Sequence, residues 1–135
     1  MTPNQMAQIH AAAFLHDRAW SAAEIADLLA SPFVTALEAQ GGFALTRLVA
    51  GETELLTIAV DPAYQNQGIG RRLMNTWLTC GADSAFLEVA ADNTSAIALY
   101  ESLGFHKTAR RSRYYARKEG AFIDALILSK DLTRG

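Results

Sequence analysis

Apolar residues recur along the chain at helical spacing in some segments and at strand spacing in others. Helical spacing predicts four helices, and Ser21 followed by Glu24 has the pattern of a capping box at the start of the second. The predicted helices cover residues 5–16, 22–30, 68 to about 81, and 94–102. Apolar runs bounded by turn residues predict strands over residues 33–39, 43–50, 53–60, 85–90, 105–115 and 121–130.

The order of these elements predicts the fold class. Two helices are followed by two or three strands, a helix, a strand, a helix and two strands. The turn at Gly51-Glu52 indicates an antiparallel hairpin of residues 43–50 and 53–60, and residues 105–115 and 121–130 are expected to form a second hairpin. We therefore expect an α/β fold with a mixed, mostly antiparallel sheet and helices on both faces. The sequence shows no repeat or linker, so residues 1–135 are expected to form a single domain.

Composition limits the cellular compartment and the classes of binding partner that we expect. The formal net charge is −2, which argues against nonspecific nucleic-acid binding by the whole surface. A single cysteine, Cys80, excludes an internal disulfide and fits a reducing compartment. No apolar run approaches the roughly 20 residues of a membrane span, and the first residues lack the pattern of a signal peptide. The expectation is a cytoplasmic protein without a membrane partner.

The stretch YQNQGIGRRLM, residues 64–74, follows the strand-like run LLTIAVDP. Glycines at a helix start expose backbone N–H groups to phosphate oxygens, and the helix dipole and Arg71-Arg72 add positive charge. A P-loop would need Lys-Ser/Thr after Gly70, and a dinucleotide fingerprint would need Gly or Ala at Leu73. The stretch therefore predicts a phosphate or pyrophosphate site of another kind. The alternative is a tight turn that needs the glycines for its backbone angles alone.

A second stretch, LEVAADNTSAIALYESLGF, covers residues 87–105. Together with QNQGIG it resembles the GNAT family of acetyl-CoA-dependent N-acetyltransferases, most closely over residues 55–105. The Trp20-Ser21 pair and Arg113-Tyr114-Tyr115 are similar to the branch that acetylates the N-terminal alanine of a small-subunit ribosomal protein. Family members usually begin with a strand before the first helix. Here that strand is not evident, which would leave a sheet edge open to a partner.

The resemblance implies a site for acetyl-CoA as cosubstrate. It implies that the strand before the glycines pairs its backbone with the pantetheine arm and that the loop and helix start bind the pyrophosphate. The implied cofactor-binding residues are Ile58, Ala59, Val60, Asn66, Gln67, Gly68, Ile69, Gly70, Arg71 and Asn93. For Asn93, a plain N-cap of the following helix is the alternative.

The resemblance also implies two catalytic residues, Glu88 as general base and Tyr100 as general acid. Transfer to an amine needs both, because the nucleophile must lose a proton and the departing thiolate must gain one. The alternatives are a solvent-facing Glu88, beside Phe86 and Ala90 by strand alternation, and a core tyrosine in a helix. The amine would attack the thioester directly, since no activated nucleophile is evident.

The acceptor implied by the resemblance is a protein N-terminus, plausibly that of a ribosomal protein. A small amine as acceptor and a non-catalytic acyl-CoA-binding module are the rival interpretations. The three histidines lack metal-ligand spacing, so no metal is expected. The basic segment 106–118 suggests an RNA or ribosomal surface, but a solvated basic hairpin is the favoured interpretation, without direct nucleic-acid binding.

Overall fold

The structure is a computed structural model that describes residues 1–14, 19–117 and 119–133. These residues form four α-helices, a short 3₁₀ turn and six strands. The helices are α1 (Pro3–Ala13), α2 (Ala22–Leu29), α3 (Ile69–Trp77) and α4 (Thr94–Ser102). The strands are β1 (Val34–Ala39), β2 (Gly42–Val49), β3 (Glu52–Val60), β4 (Ser84–Ala90), β5 (His106–Ala116) and β6 (Phe122–Asp131).

The predicted elements are confirmed in type and order. The capping box is present, with the Glu24 N–H donating to Ser21 Oγ at 3.1 Å and the Ser21 N–H donating to Glu24 Oε1 at 3.2 Å. Residues 15 and 16 of the predicted first helix lie outside the described residues. Helix α3 ends at Trp77 rather than near Gly81, because the Cys80 N–H turns back to the Trp77 carbonyl at 3.1 Å.

The six strands form one sheet in the order β1-β2-β3-β4-β6-β5. Strands β1, β2 and β3 form an antiparallel meander, and β6 lies antiparallel to both of its neighbours. The β3–β4 pair is parallel, as expected for two strands joined through a helix. The prediction of a mixed, mostly antiparallel sheet is therefore confirmed.

The parallel pairing between β3 and β4 is short. It begins at Glu52 and Ser84 and ends at Leu55 and Leu87, although β3 continues to Val60. The register of β3 against β2 shifts at the same place, where one residue of β3, Leu56, has no partner. Such a β-bulge bends its strand and increases the local twist. The bulge therefore accompanies the separation of β3 from β4.

Helices cover both faces of the sheet, as predicted. Helices α1 and α2 pack with Phe43, Leu45 and Ala59 on one face, whereas α3 and α4 pack with residues such as Ala44 and Leu55 on the other. Leu55 and Ala59 are four residues apart, a spacing that keeps regular strand residues on one face. They lie on opposite faces because the β3 bulge between them inverts the alternation.

No strand precedes α1 in the described part of the chain, and β1 forms one edge of the sheet. The first strand of the family is not among the elements of these residues. None of the described helices has the length and apolar content needed to span a bilayer.

Candidate active site

A cavity of about 890 Å³ opens where β3 and β4 separate. Its wall includes the ends of both strands, the loop before α3, the first turns of α3 and α4, and parts of α1 and β5. Eleven of the twelve predicted site residues line it: Ile58, Ala59, Val60, Asn66, Gly68, Ile69, Gly70, Arg71, Glu88, Asn93 and Tyr100. Gln67 lies in the same loop, is exposed and is not among the lining residues.

The two glycines lie at the start of α3. Gly68 is the N-cap, with φ 78° and ψ 11°, and no side chain caps the helix there. The Arg72 N–H donates to the Gly68 carbonyl at 3.0 Å. The N–H groups of residues 69–71 precede this first intrahelical bond, so they are the ones a bound anion would satisfy.

Each glycine has a different reason to be there. Gly68 has the left-handed backbone that glycine adopts without strain, so the tight-turn alternative accounts for it. Gly70 lies within the helix, and a Cβ built on it meets Leu99 Cδ2 at 3.7 Å, an ordinary contact. Neither backbone angle nor packing requires glycine at position 70. The anion-site interpretation accounts for it, because a bare backbone lets a ligand approach.

The loop before α3 is fixed to the end of β3. The Gln65 side chain donates from Nε2 to the Val60 carbonyl at 3.0 Å. Tyr64 packs so closely on Gly41 that a Cβ there would overlap the Tyr64 ring. These contacts hold the loop in place before any ligand binds, which lowers the entropic cost of binding.

The position of Asn93 is compatible with both of its interpretations, a helix N-cap and a cofactor-binding residue. It is the N-cap of α4, with Oδ1 accepting from the Ala96 N–H at 3.4 Å. It also lines the cavity. The capping role is thus present in the structure, and cofactor binding by Asn93 stays a prediction.

Glu88 lies on β4, between two core residues that point the other way. Leu87 and Val89 are buried against α3 and α4, so alternation places Glu88 on the opposite face. Its side chain is 23% exposed and lines the cavity, and its role as general base stays a prediction. The Arg111 guanidinium lies 3.3 Å from Glu88 Oε1 and supplies a cationic partner.

Tyr100 is a core residue that also reaches the cavity. It is 5% exposed and packs edge-on against Phe105, with ring centroids 6.3 Å apart. Burial, with a smaller contribution from nearby Tyr115, raises the pKa of Tyr100 to about 12. The hydroxyl therefore keeps its proton at any physiological pH.

Aromatic side chains form the end of the cavity next to α1 and the β5–β6 hairpin. The ring of buried His10 stacks on Phe14 and Trp20 with centroids 4.4 and 5.1 Å apart, and its Nδ1 accepts from the Trp20 N–H at 3.3 Å. Tyr114 and Tyr115 of β5 line the same cavity. We call these five residues the aromatic end. None of the five was predicted as a site residue: Trp20 and the two tyrosines were noted only as similarities to a branch of the family, and nothing in the sequence indicated His10 or Phe14.

Three of the four arginines of the basic segment form ion pairs within the molecule, and the fourth, Arg113, lies over the Phe122 ring. Ion pairs join Arg110 to Asp124 at 2.6 Å and Arg117 to Asp92 at 2.7 Å, besides the Arg111–Glu88 contact. Lys118 lies outside the described residues. These pairs favour the solvated-hairpin interpretation over an RNA-binding surface. Among the described residues, no cluster of His, Cys, Asp and Glu is suited to hold a metal ion.

Comparison with known proteins identifies the family. Residues 7–105 match the model of the Acetyltransferase (GNAT) family. The "[Ribosomal protein bS18]-alanine N-acetyltransferase" of Escherichia coli is 45% identical over 91 residues, which are 64% of this chain and 61% of that protein. The "N-alpha-acetyltransferase RimI" of Mycobacterium tuberculosis is 39% identical over 135 residues, with 93% of this chain and 84% of that protein covered.

Among solved structures, the ribosomal-protein-S18-alanine N-acetyltransferase from Escherichia coli superposes with a TM-score of 0.83 and 35% identity, covering 93% of this chain and 84% of that one. The matched stretch of the curated Escherichia coli sequence is less than two thirds of that protein's length. The family model spans most of the chain, and the resemblance noted in the sequence is confirmed. The chain belongs to the acetyltransferase (GNAT) family.

Proposed function

We propose that the protein transfers an acetyl group from acetyl-CoA to the α-amine of a protein N-terminus, that of a bS18-type ribosomal protein being the leading candidate. The observation that carries the proposal is the single cavity that joins an anion-binding helix start, a carboxylate, a protonated tyrosine and an aromatic end. Relatives named for bS18-alanine acetylation support the acceptor. Action on a ribosomal protein would place the enzyme in the cytoplasm.

The residues around the separated strands fit coenzyme A. The pyrophosphate would bind the N–H groups at the start of α3, beside Gly70 and Arg71, whose guanidinium donates to Ser102 Oγ at 3.0 Å. The edge of β3 from Ile58 to Val60 faces the cavity and has lost its partner β4. It would pair with the amides of the pantetheine arm as with an added strand. When bound, acetyl-CoA supplies the thioester that is attacked.

The chain supplies two proton-handling groups for the reaction. Glu88 takes the proton that the amine loses as its nitrogen bonds to the acetyl carbon, directly or through water. Tyr100 presents its hydroxyl to the sulfur as the carbon–sulfur bond breaks. One proton leaves the nitrogen and one reaches the sulfur, so the charges balance over the cycle.

The high pKa of Tyr100 limits how it acts. A free thiol has a pKa of about 8.5. Full transfer of a proton from a phenol with a pKa of about 12 to a free thiolate is therefore unfavourable by more than three pKa units, roughly. Transfer is therefore coupled to bond cleavage, with the hydroxyl donating a hydrogen bond to the developing negative charge. Such stabilisation is strong in a buried site because water does not compete.

The charges around the cavity favour a peptide over a polyamine. Among the described lining residues Glu88 is the sole carboxylate, and Arg111 already pairs with it. A polyamine would need several carboxylates to bind its several ammonium groups. The aromatic end instead offers rings and hydroxyls, which suit the short apolar start and backbone of a peptide.

The first prediction tests the acceptor. A peptide that begins with alanine should be acetylated at its α-amine, with thiol release and mass spectrometry as readouts. The control peptide has the same sequence with a blocked α-amine and an internal lysine, and spermidine serves as a small-amine control. Acetylation of the lysine or of spermidine in preference to the α-amine would contradict the proposed acceptor. Binding of acetyl-CoA without turnover on any amine would contradict catalysis.

The second prediction tests the pyrophosphate site at Gly70. Gly70→Asp should weaken acetyl-CoA binding at least tenfold, because a carboxylate would face the pyrophosphate at the helix start. The same substitution should leave the melting temperature unchanged or raise it, since an acidic residue in the first helical turn stabilises a helix by about 0.3–1 kcal/mol. Gly70→Ala is the uncharged control and should bind with intermediate affinity. Calorimetric affinity equal to wild type in Gly70→Asp would remove this site.

The third prediction concerns Glu88. Glu88→Gln keeps the side-chain shape but removes the base, so turnover should fall by roughly 10²–10⁴-fold and recover partly as pH rises and the amine loses its proton unaided. Arg111→Gln is the matched control, because it breaks the same ion pair and leaves the carboxylate. Equal losses in the two variants would show that the ion pair matters and the base does not.

The fourth prediction concerns Tyr100. Tyr100→Phe keeps the ring and its contact with Phe105, so acetyl-CoA affinity and melting temperature should stay near wild type while turnover falls. Since the pKa of about 12 lies above the working range, wild-type turnover should show no decline from Tyr100 deprotonation between pH 7 and 10. A decline in that range that disappears in Tyr100→Phe, or full turnover in the variant, would be incompatible with this role.

A further inference from the structure

Strand β5 carries an irregularity beside the aromatic end. Its pairing with β6 passes from Arg111 opposite Ala125 to Tyr115 opposite Ile123, which is four residue steps on β5 against two on β6. The extra residues form a bulge, residues 112–114, called here the β5 bulge. Neighbouring strand residues normally point to opposite faces, yet Tyr114 and Tyr115 both line the cavity. The β5 bulge explains this, since bulges redirect side chains.

Within the β5 bulge, Arg113 has a φ of +52°, which is unfavourable for a residue other than glycine. The contact that holds this conformation comes from Asp124, which lies on β6 between Ile123 and Ala125. Its Oδ1 accepts from the Arg113 N–H at 2.8 Å, and its Oδ2 accepts from Arg110 Nε at 2.6 Å. One carboxylate thus joins a residue before the bulge to a residue within it.

The position of Asp124 is itself fixed. Its carbonyl accepts from the Ala91 N–H at 2.8 Å, which ties this point of β6 to the end of β4. The hydrogen bonds from the Arg113 backbone and the Arg110 side chain hold the pKa of Asp124 below its ordinary value, so the carboxylate is charged when it makes them. Charge-assisted hydrogen bonds of this kind are the stronger ones.

We propose that Asp124 is a positioning residue for the acceptor. By holding the β5 bulge it places Tyr114 and Tyr115 against the peptide that carries the reacting amine. This inference rests on the proposed function. The cofactor side of the cavity is built from β3, α3 and α4, which Asp124 does not contact in the hydrogen bonds above. Loss of the carboxylate should therefore affect the acceptor and spare acetyl-CoA.

The test compares Asp124→Ala with Glu54→Ala. Glu54 pairs with Arg47 at 2.6 Å on β2 and β3, and its side chain is 26% exposed against 25% for Asp124, so it is a matched ion-pair control outside the cavity. Asp124→Ala should raise the acceptor-peptide KM by about tenfold, the order expected when a strained left-handed residue loses its support. The KM for acetyl-CoA should change less than twofold, and Glu54→Ala should leave both unchanged.

A second variant tests whether the bulge geometry is the cause. Glycine adopts positive φ without strain, so Arg113→Gly in the Asp124→Ala background should return the acceptor KM toward wild type. Hydrogen exchange at the Arg113 amide should be faster in Asp124→Ala than in wild type, independently of turnover.

Three results would overturn the proposal: an acceptor KM equal to that of Glu54→Ala, equal losses for both substrates, or no recovery in the double variant. Wild-type enzyme that acetylates no amine would instead refute the proposed function, and the positioning role with it. Wild-type turnover thus distinguishes the two failures.

Discussion

The early end of the pairing between β3 and β4 is the constraint on which the rest of the site depends. Four residues of each strand pair, and beyond Leu55 and Leu87 the strands continue apart. Backbone N–H and C=O groups on an edge that has lost its neighbour still need hydrogen-bond partners. In β3 these groups repeat at strand spacing beside a cavity. An extended ligand that itself carries amides is therefore suited to form their missing hydrogen bonds.

The same separation brings the two helical layers to one site. Glu88 lies on the face of the sheet that α1 and α2 cover, whereas Tyr100 belongs to the core on the α3–α4 face. An unbroken sheet would keep them apart, yet both line one cavity. The packing of Tyr100 also sets its chemistry, because the burial that stabilises the core is what keeps the hydroxyl protonated. One packing interaction therefore serves both the hydrophobic core and the site.

Local sequence signals predicted the elements well, because caps, turns and periodicity act within a few residues. Ser21 with Glu24, and the glycines at the start of α3, are of this kind. The features that shape the site depend on the exact register of paired strands, which the periodicity of a single sequence does not reveal. The bulge at Leu56 and the β5 bulge could not be predicted for this reason. The roles of the site residues came from family resemblance, while periodicity alone left them open.

The ion pairs of the β5–β6 hairpin bear on which of its side chains face the cavity. The guanidinium groups of Arg110 and Arg111 are about half exposed, and ion pairs of that kind contribute little to stability. They join β5 to β6 and to β4. Glu88, Asp92 and Asp124 hold Arg111, Arg117 and Arg110, and the described residues of the hairpin that line the cavity include two tyrosines and no arginine. Under the proposed function, selection of an acceptor would depend on the shape and hydrogen bonding of its first residues, and Glu88 would take the proton that the amine must lose.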